Sequence, residues 1–246
     1  ETATVPLQSV TLLPGMSESA VAAVEAWREA ISRDAYPEMD DFFTDLARLY
    51  REEIADLADA GCRYIQFDDT NLAYLCDPEI RERTARRGDD PDDLTRLYCR
   101  LVNDAIKDRP SDMVISVHLC RGNFKSAWVA SGGYEPVAEI LFNEMAIDGF
   151  FLEYDDERSG DFAPLRHMPK GKTVVLGLMS SKSGTVEPAD LVKKRIDEAA
   201  QFVDLDQCAL SHQCGFSSTA HGNDLTEDDQ WRKLERCVEV ARSVWG

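Results

Sequence analysis

Short apolar runs alternate with longer helix-period stretches five times along this chain, with no long linker between them. Repetition of this kind builds a parallel sheet wrapped by helices, because each helix carries the chain back to start the next strand in the same direction. The first helix reads at 40–60, where Phe43, Leu46, Tyr50, Ile54 and Leu57 recur at helical spacing and Gly61 stops it. Strands read at 63–67, 113–117, 149–152, 173–178 and 207–210, and helices between them at 94–106, 137–145 and 189–203. A last helix is announced by the capping-box pattern Thr226-Glu227-Asp228-Asp229, with Trp231, Leu234, Val238, Ala241 and Trp245 on one face. A closed barrel and an open doubly wound sheet both fit. No GxGxxG, GxxxxGK[ST] or GxSxG occurs, so dinucleotide-binding, phosphate-loop and serine-hydrolase readings have no support.

With 246 residues, 43% of them hydrophobic, the chain can bury a substantial core. A net charge of -19 opposes nucleic acid and anionic membranes as partners, since both would repel it. There is no apolar run of about 18 residues and no signal-peptide start, so a soluble cytoplasmic protein is expected. The seven cysteines are scattered and odd in number, which suits reduced thiols better than a disulfide framework.

The metal-type residues cluster at the ends of strands. His118 and Cys120 follow the second strand and, two apart, point to the same side of an extended chain. Glu153 follows the third strand, Cys214 lies just past the last, and Asp68 and Asp69 follow the first. In a parallel barrel the C-terminal strand ends form the face that holds the active site. Two thiolates, an imidazole and a carboxylate suit zinc, which accepts S, N and O donors in tetrahedral geometry, and suit calcium or magnesium poorly. Cys62, Cys76, Cys99, Cys208 and Cys237 read as small buried apolar residues, and His167 and His212 as polar rim residues. Asp68 and Asp69 also fit a plain helix cap.

Five segments, in order, resemble the catalytic domain of the cobalamin-independent methionine synthases, especially the shorter single-domain type: YIQFDD at 64–69, HLCRGNF at 118–124, FLEYD at 151–155, GLMSSK at 177–182 and SHQCGF at 211–216. The likeness runs from about residue 31 to the C-terminus. It implies a (β/α)8 TIM barrel, with His118, Cys120, Glu153 and Cys214 on the zinc ligands. It puts Asp68 on the aspartate that contacts the amino-acid substrate and takes part in proton handling. Residues 1–246 then read as one catalytic barrel domain that begins near the third strand.

The implied chemistry is transfer of a methyl group onto a thiol such as homocysteine, giving methionine. A free thiol is mostly protonated at neutral pH, and zinc removes the proton while leaving sulfur nucleophilic. Glu153, a hard oxygen on a borderline metal, is the ligand most easily exchanged for substrate. A departing folate nitrogen needs an acid, and Asp68 or His212 could supply it. The sequence departs from the larger members in two places. It has Met179-Ser180-Ser181-Lys182 where they carry His-Ser-Pro-Arg, and Asp68-Asp69-Thr70 where they carry aspartate-glutamate-proline. Asp68, Asp69, Arg121 and Lys182 are the expected substrate contacts. Alternatives are alkylation of another thiol, as when coenzyme M adds to an epoxide with Arg121, Arg158 and Lys182 as cations for its sulfonate, or a non-catalytic binding protein on this fold. Five strands, with a sixth at 4–13, fall short of eight. A missing N-terminal segment, a separate chain or a second copy of this one is expected to complete the barrel.

Overall fold

The structure, a computed structural model, describes residues 36–123, 125–217 and 222–246. The strand expected at 4–13 lies outside them. The described elements are α1 (Met39–Asp59), β1 (Tyr64–Asp69), α2 (Asn71–Tyr74), α3 (Pro78–Arg86), α4 (Pro91–Ile106), β2 (Val114–Leu119), α5 (Glu135–Glu144), β3 (Gly149–Glu153), β4 (Thr173–Met179), α6 (Ala189–Ala199), β5 (Cys208–His212) and α7 (Glu227–Trp245), with short 3-10 turns at Glu157–Ser159, Ala163–His167 and Leu205–Gln207. The five strands form one sheet in chain order, every neighbouring pair parallel. Each of the five expected strands is present. All five run further than expected, to Asp69, Leu119, Glu153, Met179 and His212, because ladder bonds are made by backbone whatever the side chain. Consequently His118, expected just after a strand, is the penultimate residue of β2, and Glu153 is the last residue of β3.

Packing divides the described residues into two units, one of residues 36–63 with 100–113 and the other of those within 64–99 and 114–246. In the first unit α1 buries Phe43, Ala47, Ile54 and Ala58, whereas Tyr50 and Leu57 of its expected apolar face are exposed. Arg51 of α1 donates to the Asp104 carbonyl of α4, and Arg63 donates to the Ala58 carbonyl, tying the loop after α1 back to that helix.

In the second unit one face of the middle strands is wholly apolar. Ile115, Val117 and Leu119 of β2, Phe150 and Leu152 of β3 and Val174 and Leu176 of β4 are all buried and share that face in the register, whereas the opposite face carries Ser116 and His118 beside Phe151 and Val175. Val137, Ala138, Leu141 and Phe142 of α5 and Val192, Ile196 and Ala199 of α6 are buried as well, with Phe142 edge-on to Phe150 at 5.0 Å. α3, which the hydrophobic pattern passes over, buries no residue at all. Its signal is Asp77-Pro78: the Asp77 carboxylate accepts from Glu79 N and Ile80 N, and Pro78 opens the helix.

α7 begins with the expected capping box, Asp229 N donating to Thr226 Oγ1 and Thr226 N to Asp229 Oδ2. Its buried face is not the expected one. Lys233 and Val240 are buried, whereas Trp231 (56% exposed) and Val238 (47% exposed) face outward. The physical reason is an ion pair: Lys233 Nζ reaches Glu187 Oε2 at 2.9 Å and the Thr185 carbonyl, so an ammonium is satisfied inside and rotates the helix about its axis.

β4 carries an irregularity that matters below. Its register with β5 shifts between Gly177 and Met179. A Cβ on Gly177 would stand 2.7 Å from the Leu152 carbonyl oxygen and 2.8 Å from Gln213 Cα, so only glycine allows the three strands to approach here.

Candidate metal centre

Alternation along the strands aims the donors at one side. In the parallel register Asp68 lies beside His118, and His118 beside Phe151. Cys120 is two residues beyond His118, and Glu153 two beyond Phe151, so His118, Cys120 and Glu153 share a face. The Cys120 amide donates to the Asp69 carbonyl at 2.8 Å, which continues the β1–β2 pairing past the end of β2. Cys214 arrives from the far side of the sheet, two residues past β5, fixed by a 2.8 Å bond from Gln213 N to the Met179 carbonyl.

Nitrogen of His118 and sulfurs of Cys120 and Cys214 all lie within 4.8 Å of one another. The two sulfurs are 3.8 Å apart. His118 Nε2 is buried with no hydrogen-bond partner, a costly arrangement for a ring nitrogen unless something else meets it there. Contact with Cys214 drives the Cys120 thiol upward, burial and Glu153 adding to this, because two facing sulfurs resist becoming two anions. Burial acts to lower His118, but Cys214, Asp68 and Glu153 outweigh it and raise the ring above its ordinary value. A cation here would meet all three demands at once. The group can therefore hold a metal ion, and its two sulfurs and one imidazole fit a borderline-soft ion.

Glu153 stands beside this trio with different partners. Its Oε2 accepts from Arg121 N at 2.8 Å, and its Oε1 accepts from Lys182 Nζ at 3.0 Å and Arg158 Nη2 at 3.2 Å. Asp155 joins the same two cations, 3.4 Å from Arg158 and 3.6 Å from Lys182. All four side chains are nearly buried, between 1% and 10% exposed. Arg158 also lies over the Trp128 ring at 5.0 Å. The backbone of Glu153 is anchored by its own amide, which donates to Tyr134 Oη at 2.8 Å.

Arg121, expected to contact substrate, does not face the site. It is wholly buried: Nη1 donates to the Glu153 carbonyl and Tyr134 Oη, Nη2 donates to the Gly132 carbonyl, and the guanidinium stacks on Tyr134 at 4.3 Å. Its backbone amide holds Glu153 and its side chain builds the wall behind it. His212 ends β5 and packs against Phe216 at 4.7 Å. Burial, with Lys233 nearby, pushes it down to about 4, so the ring is neutral at neutral pH and holds no cationic acid's proton. Asp68 is exposed, and Asp69 caps α2 through Leu72 N at 2.8 Å, the plain helix-cap reading. Burial nevertheless raises Asp69 to about 6. Cys76, Cys99 and Cys208 are buried, as expected of apolar cysteines.

Two residues of this arrangement escaped the sequence reading. Asp155 had a signal, since it lies two residues past Glu153, on the same side of an extended chain. Tyr134 had none, because it acts through a contact with a residue 19 positions away.

The chain matches the family described as Cobalamin-independent synthase, Catalytic domain, over residues 11–243. It is similar to the Bacillus subtilis protein YxjH, with 47% identity over 88% of this chain and 58% of that one. A solved structure from Listeria monocytogenes, assigned to the vitamin-B12-independent methionine synthases, superposes with a TM-score of 0.68 at 39% identity, covering 91% of this chain and 62% of that one. Methionine synthase of Pyrococcus abyssi is 22% identical over 85% of this chain and 51% of its own length. The chain thus spans between half and about three fifths of the relatives it matches. No helix of the described residues is long and apolar enough to cross a membrane. The fold is of the (β/α)8 barrel class, five consecutive parallel strands of which are described above. On these grounds the chain belongs to the cobalamin-independent synthase catalytic domain family.

Proposed function

We propose that this chain carries the catalytic centre of a zinc-dependent methyltransferase that moves a methyl group onto a thiol such as homocysteine, giving methionine. The observation that carries the reading is the sulfur spacing. Two sulfurs bound at about 2.3 Å to a tetrahedral ion stand about 3.8 Å apart, and Cys120 and Cys214 are 3.8 Å apart beside the unpartnered Nε2 of His118. These three residues would hold the ion, with Glu153 as the fourth donor that the family resemblance implies. When bound, zinc would lower the pKa of a substrate thiol and leave its sulfur nucleophilic.

The chain's own residues then divide the work. Asp68, exposed and beside His118 in the register, would meet the amino-acid part of the substrate, as the family resemblance implies. Asp69, raised to about 6, can hold a proton for the leaving group near neutral pH, which neutral His212 cannot. Arg121 and Tyr134 keep the end of β3 rigid so that Glu153 stays in register with the trio. The coenzyme M alternative needs cations for a sulfonate. Arg121 is buried, and Arg158 and Lys182 already face carboxylates, which favours the amino-acid thiol.

The test is metal content followed by thiol binding on the full chain. One zinc per chain is expected, with sulfur scattering near 2.3 Å in X-ray absorption. Homocysteine should raise the melting temperature of the zinc-loaded protein more than coenzyme M does. Zinc bound without sulfur neighbours would end this reading.

A further inference from the structure

The Glu153 carboxylate is met on both oxygens without help from the trio. Three donors converge on it, the Arg121 amide on Oε2 and two full positive charges on Oε1. Arg158 and Lys182 both face Glu153 and Asp155 in a nearly dry pocket, and Arg158 Nε also pairs with the exposed Asp156 at 3.0 Å. The trio balances separately: two thiolates and a neutral imidazole offset a divalent cation, so the metal centre is neutral without Glu153.

The geometry points to a second seat for the Glu153 carboxylate, built by Lys182 with Arg158, in which Glu153 is held off the metal while a substrate thiol takes the ion's fourth position. This rests on the zinc reading above and deepens it. A carboxylate leaving a metal inside a protein would otherwise be stranded as a buried anion, and stranding one charge of a buried pair is strongly unfavourable. Lys182 removes that penalty. It comes from the loop after β4, and that loop is itself tied down. Ser180 N donates to Glu187 Oε1 at 2.8 Å, and Glu187 is paired with buried Lys233. Gly177, at the bulge of β4, pairs with Glu153 in register, and its missing side chain lets the backbone of Leu152 and Gln213 close in beside it. Lys182 is thus a positioning residue, acting on substrate affinity through Glu153.

The seat competes with the metal for one carboxylate, so removing it must move two affinities in opposite directions. In Lys182→Met, zinc should bind about tenfold more tightly and homocysteine about tenfold more weakly to the zinc-loaded protein, since Glu153 then stays on the ion. Zinc affinity is read by competition with a chromophoric chelator and thiol affinity by the absorption bands of the cobalt-substituted protein. Lys182→Arg should restore both values to within about threefold of the parent. Arg158→Gln should shift both in the same directions by a smaller factor, and it serves as the second variant if Lys182→Met does not fold. Unchanged affinities in Lys182→Met, or zinc and thiol both weakened together, would overturn the second seat while leaving the zinc site standing. Failure of the parent itself to bind zinc would instead overturn the reading on which it rests.

Discussion

Two groups of side chains sit side by side at the C-terminal ends of the strands, and they differ in what the protein provides for them. The trio of His118, Cys120 and Cys214 is left wanting: its ring nitrogen is orphaned and its sulfurs face each other. The quartet of Glu153, Asp155, Arg158 and Lys182 is complete, each charge met by an opposite one within 3.6 Å. Evolution of a fold ordinarily removes the first kind of arrangement and keeps the second, because unmet buried polar atoms are destabilising. A buried ring nitrogen that persists without a hydrogen bond points outward to a ligand, whereas a satisfied quartet points inward, to positioning. Burial alone would not separate them, since both groups are largely buried.

The largest effect should come from the trio. Cys120→Ser is expected to weaken zinc by about a thousandfold, beyond the 10–100-fold typical of losing a supporting residue, while circular dichroism stays near that of the parent. An unfolded variant would mean that the trio holds the fold together and does not await a ligand, and the contrast would fail.

Next in size is the closed pair beneath the Lys182 loop. Lys233→Met leaves Glu187 without its buried partner and should cost about 3 kcal/mol, read by urea unfolding. The double variant Lys233→Met, Glu187→Gln should recover most of that. No recovery would show that packing of the lysine stem, not charge closure, carries the stability.

Asp69 is the intermediate case, half capped and half desolvated. Its carboxyl is raised from 3.8 to about 6 in the folded chain, so the folded state binds the extra proton between those values. The parent should therefore lose stability as pH rises through that window and gain none of it back above. Asp69→Asn, which keeps the acceptor for Leu72 N, should be more stable than the parent by about 3 kcal/mol at pH 7 and equal to it below about pH 4. A difference that stays constant across pH would mean that burial does not hold the proton.

Thr226→Ala, far from both groups in the chain, should cost only about 1 kcal/mol by removing the cap of α7. Zinc affinity should not change. A loss of zinc in this variant would mean that α7 reaches the trio through Lys233 and Glu187, and the two regions would no longer be separable.

Local pattern was enough for several of these features. The alternation of apolar runs with helical stretches determined a parallel sheet, because strand and helix periods are properties of neighbouring residues. The ends of those runs located His118, Glu153 and Asp68, since a parallel sheet brings all C-terminal strand ends to one side. The capping box of α7 was legible because its bonds span three residues. Tertiary structure alone decided the rest. Lys182 meets Glu153 across 29 residues, and Glu187 meets Lys233 across 46, through sheet register and a bulge at Gly177 that no periodicity encodes. Arg121 was expected among the substrate contacts, and it lies wholly buried with three oxygens inside for its donors. The face of α7 turned away from its tryptophan for the same reason: a buried ion pair outweighed the apolar stripe. Hydrophobic pattern is local and additive, whereas the partner of a charge is settled only when the whole chain has found its register.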